Sequence, residues 1–153
     1  MSKAKINKFT LRVYGLFINH FDEILLTDEF RLGIFMTKFP GGGLEFGEGT
    51  IDCLRRECRE ELNQEISNIR HFYTTDFFQP THLLPESHQL ISIYYLASLT
   101  QPEKIISAQA RFGIPEIEGA QAFRWVKIQH IDENEITFPI DKRVVGMLKK
   151  GQH

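Results

Sequence analysis

Glu57, Glu60 and Glu61 stand at i, i+3 and i+4 within the run Arg56-Glu57-Cys58-Arg59-Glu60-Glu61. On a helix that spacing brings three carboxylates to one face. So close together they repel, raising one another's pKa and weakening the helix, unless a cation lies among them. Oxygen-only ligands of this kind suit Mg²⁺ or Mn²⁺, hard ions that also bind phosphate oxygens and hold water for nucleophilic use. The chemistry this predicts is attack of water on a phosphate ester or anhydride. A Glu-rich helix can equally be a solvated surface with ordinary pairs such as Arg56 with Glu60, so the decision comes from what precedes it.

Glu48 lies eight residues before Arg56, and Gly42 six before Glu48, so the stretch reads Gly42-x5-Glu48-x7-Arg56-Glu57-Cys58-x-Glu60-Glu61. This resembles the Nudix box, G-x5-E-x7-R-E-U-x-E-E-x-G-U with U aliphatic, the signature of the Nudix hydrolase family. The glycine and all five charged positions agree, a match expected by chance on the order of once in ten million starting positions. Cys58 replaces the aliphatic residue, Asn63 the glycine and Gln64 the last aliphatic residue. Cysteine is small and apolar enough for a core stripe, and asparagine follows glycine in tolerance of the left-handed conformation that ends helices. Gln64 has no such equivalence and leaves the exit from the helix open.

The resemblance implies an α/β fold of the α+β kind, a Nudix-like α/β/α sandwich with a mixed central sheet flanked by helices. It also implies a metal-dependent hydrolase that cleaves the phosphoanhydride bond of a nucleoside diphosphate linked to another moiety. In that reading Glu57, Glu60 and Glu61 bind Mg²⁺ or Mn²⁺, and the Gly41 carbonyl completes the shell. Arg56 orients the carboxylates, while Gly42 and Glu48 support the loop against the helix. Glu57 or Glu60 is the first choice for general base, with Glu118 and then Glu116 as distal candidates. ADP-ribose pyrophosphatases of the family carry a proline at a set distance beyond the box; that place falls on Gln79, next to Pro80. The resemblance therefore favours ADP-ribose or a nucleotide sugar, with a nucleoside triphosphate or dinucleoside polyphosphate next. The alternative is a non-catalytic sensor or binding module of the same fold, against which the retained acidic positions count.

The elements that must position these groups follow from hydrophobic pattern. Phe9 to Ile18 and Ile24 to Leu26 are apolar pieces interrupted by His20-Phe21-Asp22-Glu23, which predicts a hairpin. Ile34 to Phe39 predicts a short strand, ended by Pro40-Gly41-Gly42-Gly43. Thr50 to Leu62 contains neither proline nor glycine, and Ile51, Leu54, Cys58 and Leu62 fall within roughly 80° of a helical wheel, predicting a helix with that face inward. Gly49 or Thr50 is its N-cap, with Asp52 in the first turn. Ile69 to Phe78 and Leu90 to Leu99 predict strands, the second apolar on both alternating faces and hence central. Phe123 to Ile128, with Trp125, predicts another strand, and Asp141 to Lys150 a closing helix with Val144, Val145 and Leu148 inward.

The 153 residues, 42% hydrophobic and 25% charged, fit one globular domain spanning 1–153, with 1–7 as a flexible tail. A net charge of -2 with scattered lysines and arginines excludes a basic nucleic-acid face. Cys53 and Cys58, five apart, fit neither a CxxC pair nor a disulfide framework. Nothing reaches the length of an apolar membrane span, so the expectation is a cytoplasmic protein whose partner is a small molecule, with no nucleic acid, no membrane and a homodimer allowed. Phe77 and Phe78 could stack a base and Lys38 or Arg31 hold a phosphate, although core packing and surface solvation are the favoured explanations of each. His82 and His88 flank the Pro85-Glu86 turn and are left outside the site.

Overall fold

The computed structural model describes residues 5–81 and 87–153. Seven strands and two helices follow in the order β1 (Lys8–Phe17), β2 (Glu23–Arg31), β3 (Ile34–Lys38), β4 (Gly41–Gly43), α1 (Thr50–Leu62), β5 (Ile66–Thr74), β6 (His88–Leu99), β7 (Gln121–Lys127) and α2 (Pro139–Lys149). A mixed four-stranded sheet has the order β4-β1-β6-β5, with β1 and β6 parallel, and an antiparallel sheet has the order β3-β2-β7.

The hairpin predicted at the start is not formed. β1 and β2 meet only at the isolated bridge Ile18–Ile24, after which each joins a different sheet. Both strands alternate, and that alternation puts the two sheets into one layer between the helices. Val13 and Phe17 of β1 and Leu25 of β2 pack with Cys53, Leu54, Cys58 and Leu62 of α1. Tyr14, Leu16, Ile24 and Leu26 turn the other way and pack with Val144, Val145 and Leu148 of α2. The expected α/β/α layering is thus present, with β6 central and covered on both faces.

Helix α1 has the predicted limits. Gly49 is extended at its N-terminus and its amide donates to Asp52 Oδ2 at 2.9 Å. Asn63 ends the helix in the left-handed region, φ 52°. One member of the predicted inward face is wrong: Ile51 is exposed and Cys53 takes its place, because the first turn leans on the glycine strand, where the Cys53 thiol is buried and donates to the Gly43 carbonyl. Gln64 is buried by a specific pairing. Its amide donates to the Gln101 carbonyl at 2.6 Å and its carbonyl accepts from the Gln101 amide at 3.0 Å, so a glutamine at the aliphatic place of the box keeps its polar atoms satisfied.

β5 begins three residues earlier than expected and is interrupted by two register shifts, one between Ser67 and Arg70, where Asn68 is at φ 52°, and one between His71 and Tyr73. Phe77 and Phe78 consequently lie beyond the strand. Residues 1–4 of the expected tail lie outside the described residues, and the Asn7 amide is tied to the Ser87 carbonyl at 3.0 Å. His82 and the Pro85-Glu86 turn also lie outside the described residues. Both cysteines are free and buried, and burial pushes each thiol up to about 12. Among the described residues no helix is long and apolar enough to cross a membrane.

Candidate active site

The glycine strand is where backbone and acidic helix meet. Gly41, Gly42 and Gly43 pair with Tyr14, Val13 and Arg12. The flanking bonds from the Gly15 amide to the Pro40 carbonyl and from the Leu44 amide to the Leu11 carbonyl set the alternation of this ladder. That alternation turns the Gly41 and Gly43 carbonyls away from β1. The Gly43 carbonyl accepts from Arg56 Nη2 at 3.0 Å; the Gly41 carbonyl faces the same side. A Cβ on Gly42 would stand 2.2 Å from Glu57 Oε1, so the absence of a side chain is what admits that carboxylate.

Arg56 organises the acids. Its guanidinium donates to both oxygens of Glu48 at 2.8 and 3.0 Å, to Glu57 Oε1 at 3.0 Å and to Glu60 Oε2 at 3.3 Å. Glu48 also caps the loop by accepting from the Glu45 amide. The Arg56 hydrogen bonds hold the Glu48 carboxyl down to about 2, and the same bonds push the arginine further above its ordinary value. Glu48 thus ties the loop at Glu45 to Arg56 of the helix.

Glu61 looks into the molecule. Burial pushes its carboxyl up to about 7, with Glu57 and Glu29 adding to the shift and Lys38 opposing it. Its Oε2 is buried without a hydrogen-bond partner. Glu60 by contrast is 59% exposed. Among the described residues no three carboxylate, imidazole or thiol groups close into a cage, since Arg56 holds Glu57 and draws Glu60 outward. The donors still fit a divalent ion: two hard carboxylates, one with a stranded oxygen, lie beside a backbone carbonyl, and Mg²⁺ in particular is held by few protein ligands and several waters. Glu57, Glu61 and the Gly41 carbonyl would hold it, with Glu60 released from Arg56.

Glu118 and Glu116 are exposed. The Glu118 carboxylate accepts from the Leu32 amide at 2.9 and 3.2 Å, anchoring the β2–β3 turn, and no contact joins it to the acidic face of α1. Phe77 stacks under Arg143 and Phe78 is 62% exposed. Neither lines the cavity beside the site. Lys38 and Arg31 do line it.

Three participants escaped the sequence. Glu29, 6% exposed, pairs with the equally buried Lys38 at 3.3 Å and accepts from Gln121. Arg12 donates to the Tyr14 hydroxyl at 2.7 Å and lies in the field of Glu57 and Glu29. Asp141 is buried at the start of α2, where Tyr94 donates to its Oδ1. A signal was present for the first: Thr27-Asp28-Glu29 is a polar run in the middle of a strand, and all three are buried. Asp28 is held by Arg124 at 2.6 and 3.0 Å and by the Thr37 hydroxyl at 2.8 Å, which fixes β2 where Glu29 leaves it.

The family model described as NUDIX domain matches residues 8–145, and the chain belongs to that family. It is a Nudix-type hydrolase, and membership supports a pyrophosphohydrolase role on a small molecule with divalent metal ions. A NUDIX hydrolase from Nitrosomonas europaea is similar at TM-score 0.68 and 17% identity, covering 95% of this chain and 92% of that one. A structure of MutT, reported for the psychrophilic fish pathogen Aliivibrio salmonicida and the mesophile Vibrio cholerae, is similar at TM-score 0.60 and 25% identity over 94% and 99%. A further N. europaea NUDIX hydrolase gives TM-score 0.59 and 20% identity over 95% and 71%. No curated protein matches the chain significantly.

Proposed function

We propose that this protein hydrolyses the phosphoanhydride bond of a nucleoside diphosphate joined to a second moiety, ADP-ribose or a nucleotide sugar before a nucleoside triphosphate or dinucleoside polyphosphate. The observation that carries the reading is the juxtaposition at Gly42: the Glu57 carboxylate lies where a side chain would stand, and Glu61 Oε2 is buried and unpartnered on the same face of α1. Pro80 supports the choice of second moiety, since it bridges to Gln89 next to Thr81, which lines the cavity.

Glu57, Glu60, Glu61 and the Gly41 carbonyl are the residues that hold Mg²⁺ or Mn²⁺ in this reading. When bound, the ion screens the diphosphate charge and lowers the pKa of water. The rest belongs to the chain. Arg56 keeps Glu57 Oε1 fixed, and Oε2, outside that grip, receives the proton of the attacking water. Glu118 is the second candidate for that role. Arg12 and Lys38 offset phosphate charge at the edge of the glycine strand.

The test is turnover on a panel of nucleotide sugars, dinucleotides and triphosphates with Mg²⁺. Glu57→Gln and Glu61→Gln are each expected to lower kcat at least about 100-fold while the fold persists. Chelator should abolish activity, and Mg²⁺ or Mn²⁺ restore it. Near-normal turnover in both variants, or survival in chelator, would overturn the reading.

A further inference from the structure

Strands β1 and β6 run parallel from Lys8 with His88, and α1 covers only part of the face they share. Val13 and Phe17 pack against the helix. Leu11 and Phe9, two and four residues before Val13, come out on the same side of the strand. Ile91 and Ile93 of β6 stand opposite Leu11 and Val13 and continue that floor. The helix begins too far along to reach it: the Thr50 hydroxyl meets the Tyr95 hydroxyl at 2.5 Å, and Tyr95 pairs with Gly15. Its first turn and the preceding loop make a wall at the edge of the floor, since the Leu44 amide bonds to the Leu11 carbonyl where the loop leaves β4. Ile51 and Phe46 belong to that wall, and both are exposed.

Phe9 is 64% exposed, Leu11 38%, Ile51 40% and Phe46 fully. Together they leave on the order of 500 Å² of apolar side chain in water. Single hydrophobic residues are ordinary at a surface, but a contiguous patch of this size flanked by charge marks an interaction surface. The substrate does not explain it, because the opposite face of β1 is the one that carries Thr10, Arg12 and Tyr14 to the cavity beside the acidic site. Two features select a second copy of this chain as the occupant. An interface of standard size takes about 800 Å² from each partner, and about 65% of a homodimer interface is apolar, close to what this face supplies. The charges at its two ends are also opposite, with exposed Lys5 and Lys8 at the start of β1 and exposed Glu45 and Asp52 on the wall. A two-fold axis through the middle sets each lysine end against the other copy's wall, so the patch complements itself in charge as well as in apolar area.

We infer that this protein is a homodimer whose two-fold interface joins the Phe9 and Leu11 floor of each copy to the Phe46 and Ile51 wall of the other. The inference is independent of the substrate and of the metal.

The experiment is sedimentation equilibrium of the full chain over a range of concentrations. At about 10 µM the natural protein should have twice the 17.8 kDa mass of one chain. Phe9→Glu and Phe46→Glu each place a charge where the copies meet and should raise the dimer dissociation constant at least about 30-fold. Both side chains are exposed, so the fold, followed by circular dichroism and thermal melting, should persist; if one variant does not fold, the other decides. Lys8→Glu, at the rim, should weaken the dimer about three-fold. A monomer at about 50 µM would overturn the inference, whether or not lipid vesicles or another protein then bind the face. So would a mass that keeps rising beyond two chains with concentration, or an unshifted dissociation constant in the folded phenylalanine variants.

Discussion

Gly41 and Gly42 are neighbours with different obligations. A Cβ on Gly42 would meet only the far end of the Glu57 side chain, whereas on Gly41, at φ 151°, it would stand 2.1 Å from the Val13 carbonyl oxygen and 2.8 Å from Tyr14 Cα. Gly42→Ala is therefore expected to fold, displace the Glu57 carboxylate and lose at least about ten-fold in kcat. Gly41→Ala must move backbone, and should lower the melting temperature by several degrees at about 1–3 kcal/mol. Thermal melts and turnover of the two variants separate these effects; equal stability of both would contradict the geometry. Gly42, Glu48, Arg56 and the three glutamates were legible from residue type and spacing because the box is local: each member lies within one loop and one helix. Glu29, Arg12 and Asp141 were not. Their positions at the cavity depend on how two sheets part, which no window of sequence contains.

At the scale of elements, the limits of α1 were legible because a break precedes it and a left-handed residue follows it. Asn63 occupies that conformation at φ 52°. Asn63→Ala should lose about 1 kcal/mol in denaturant unfolding, while Asn63→Gly should match or exceed the natural residue. A loss with glycine as large as with alanine would show that the asparagine acts through its side chain. The face of the helix was legible except at its first turn, where periodicity favoured Ile51 and the glycine strand selected Cys53. The predicted hairpin failed for a related reason. Alternation and a short polar interruption mark two strands that reverse direction, but they do not say whether the strands stay partners beyond the first bridge.

The buried carboxyl of α2 affects the whole molecule. Burial raises Asp141 from 3.8 to about 6. The folded state thus holds a proton that the unfolded chain has lost, so stability falls as pH rises through the interval from about 4 to about 6, by on the order of 3 kcal/mol. Asp141→Asn removes this component, and its melting temperature in chelator should vary less between pH 4 and 7 than that of the natural protein. Parallel profiles would refute the burial argument. Glu61, raised to about 7, contributes a slope of the same sign in both proteins, which is why the comparison between them isolates Asp141. The layered fold was legible at this scale because α2 and β6 announce their buried faces; the division of the layer into two sheets was not.

The parallel ladder from Lys8 with His88 to Phe17 with Ala97 joins partners eighty positions apart. A nascent chain emerging from the ribosome can zip the β2–β3 turn and wind α1 early, but β1 waits for its neighbour until most of the polypeptide has been made. Closure of so distant a contact carries the loop entropy of everything between. The strand that supports the glycines is thus completed late in synthesis, and the acidic face of α1 acquires its setting only when that seam has closed.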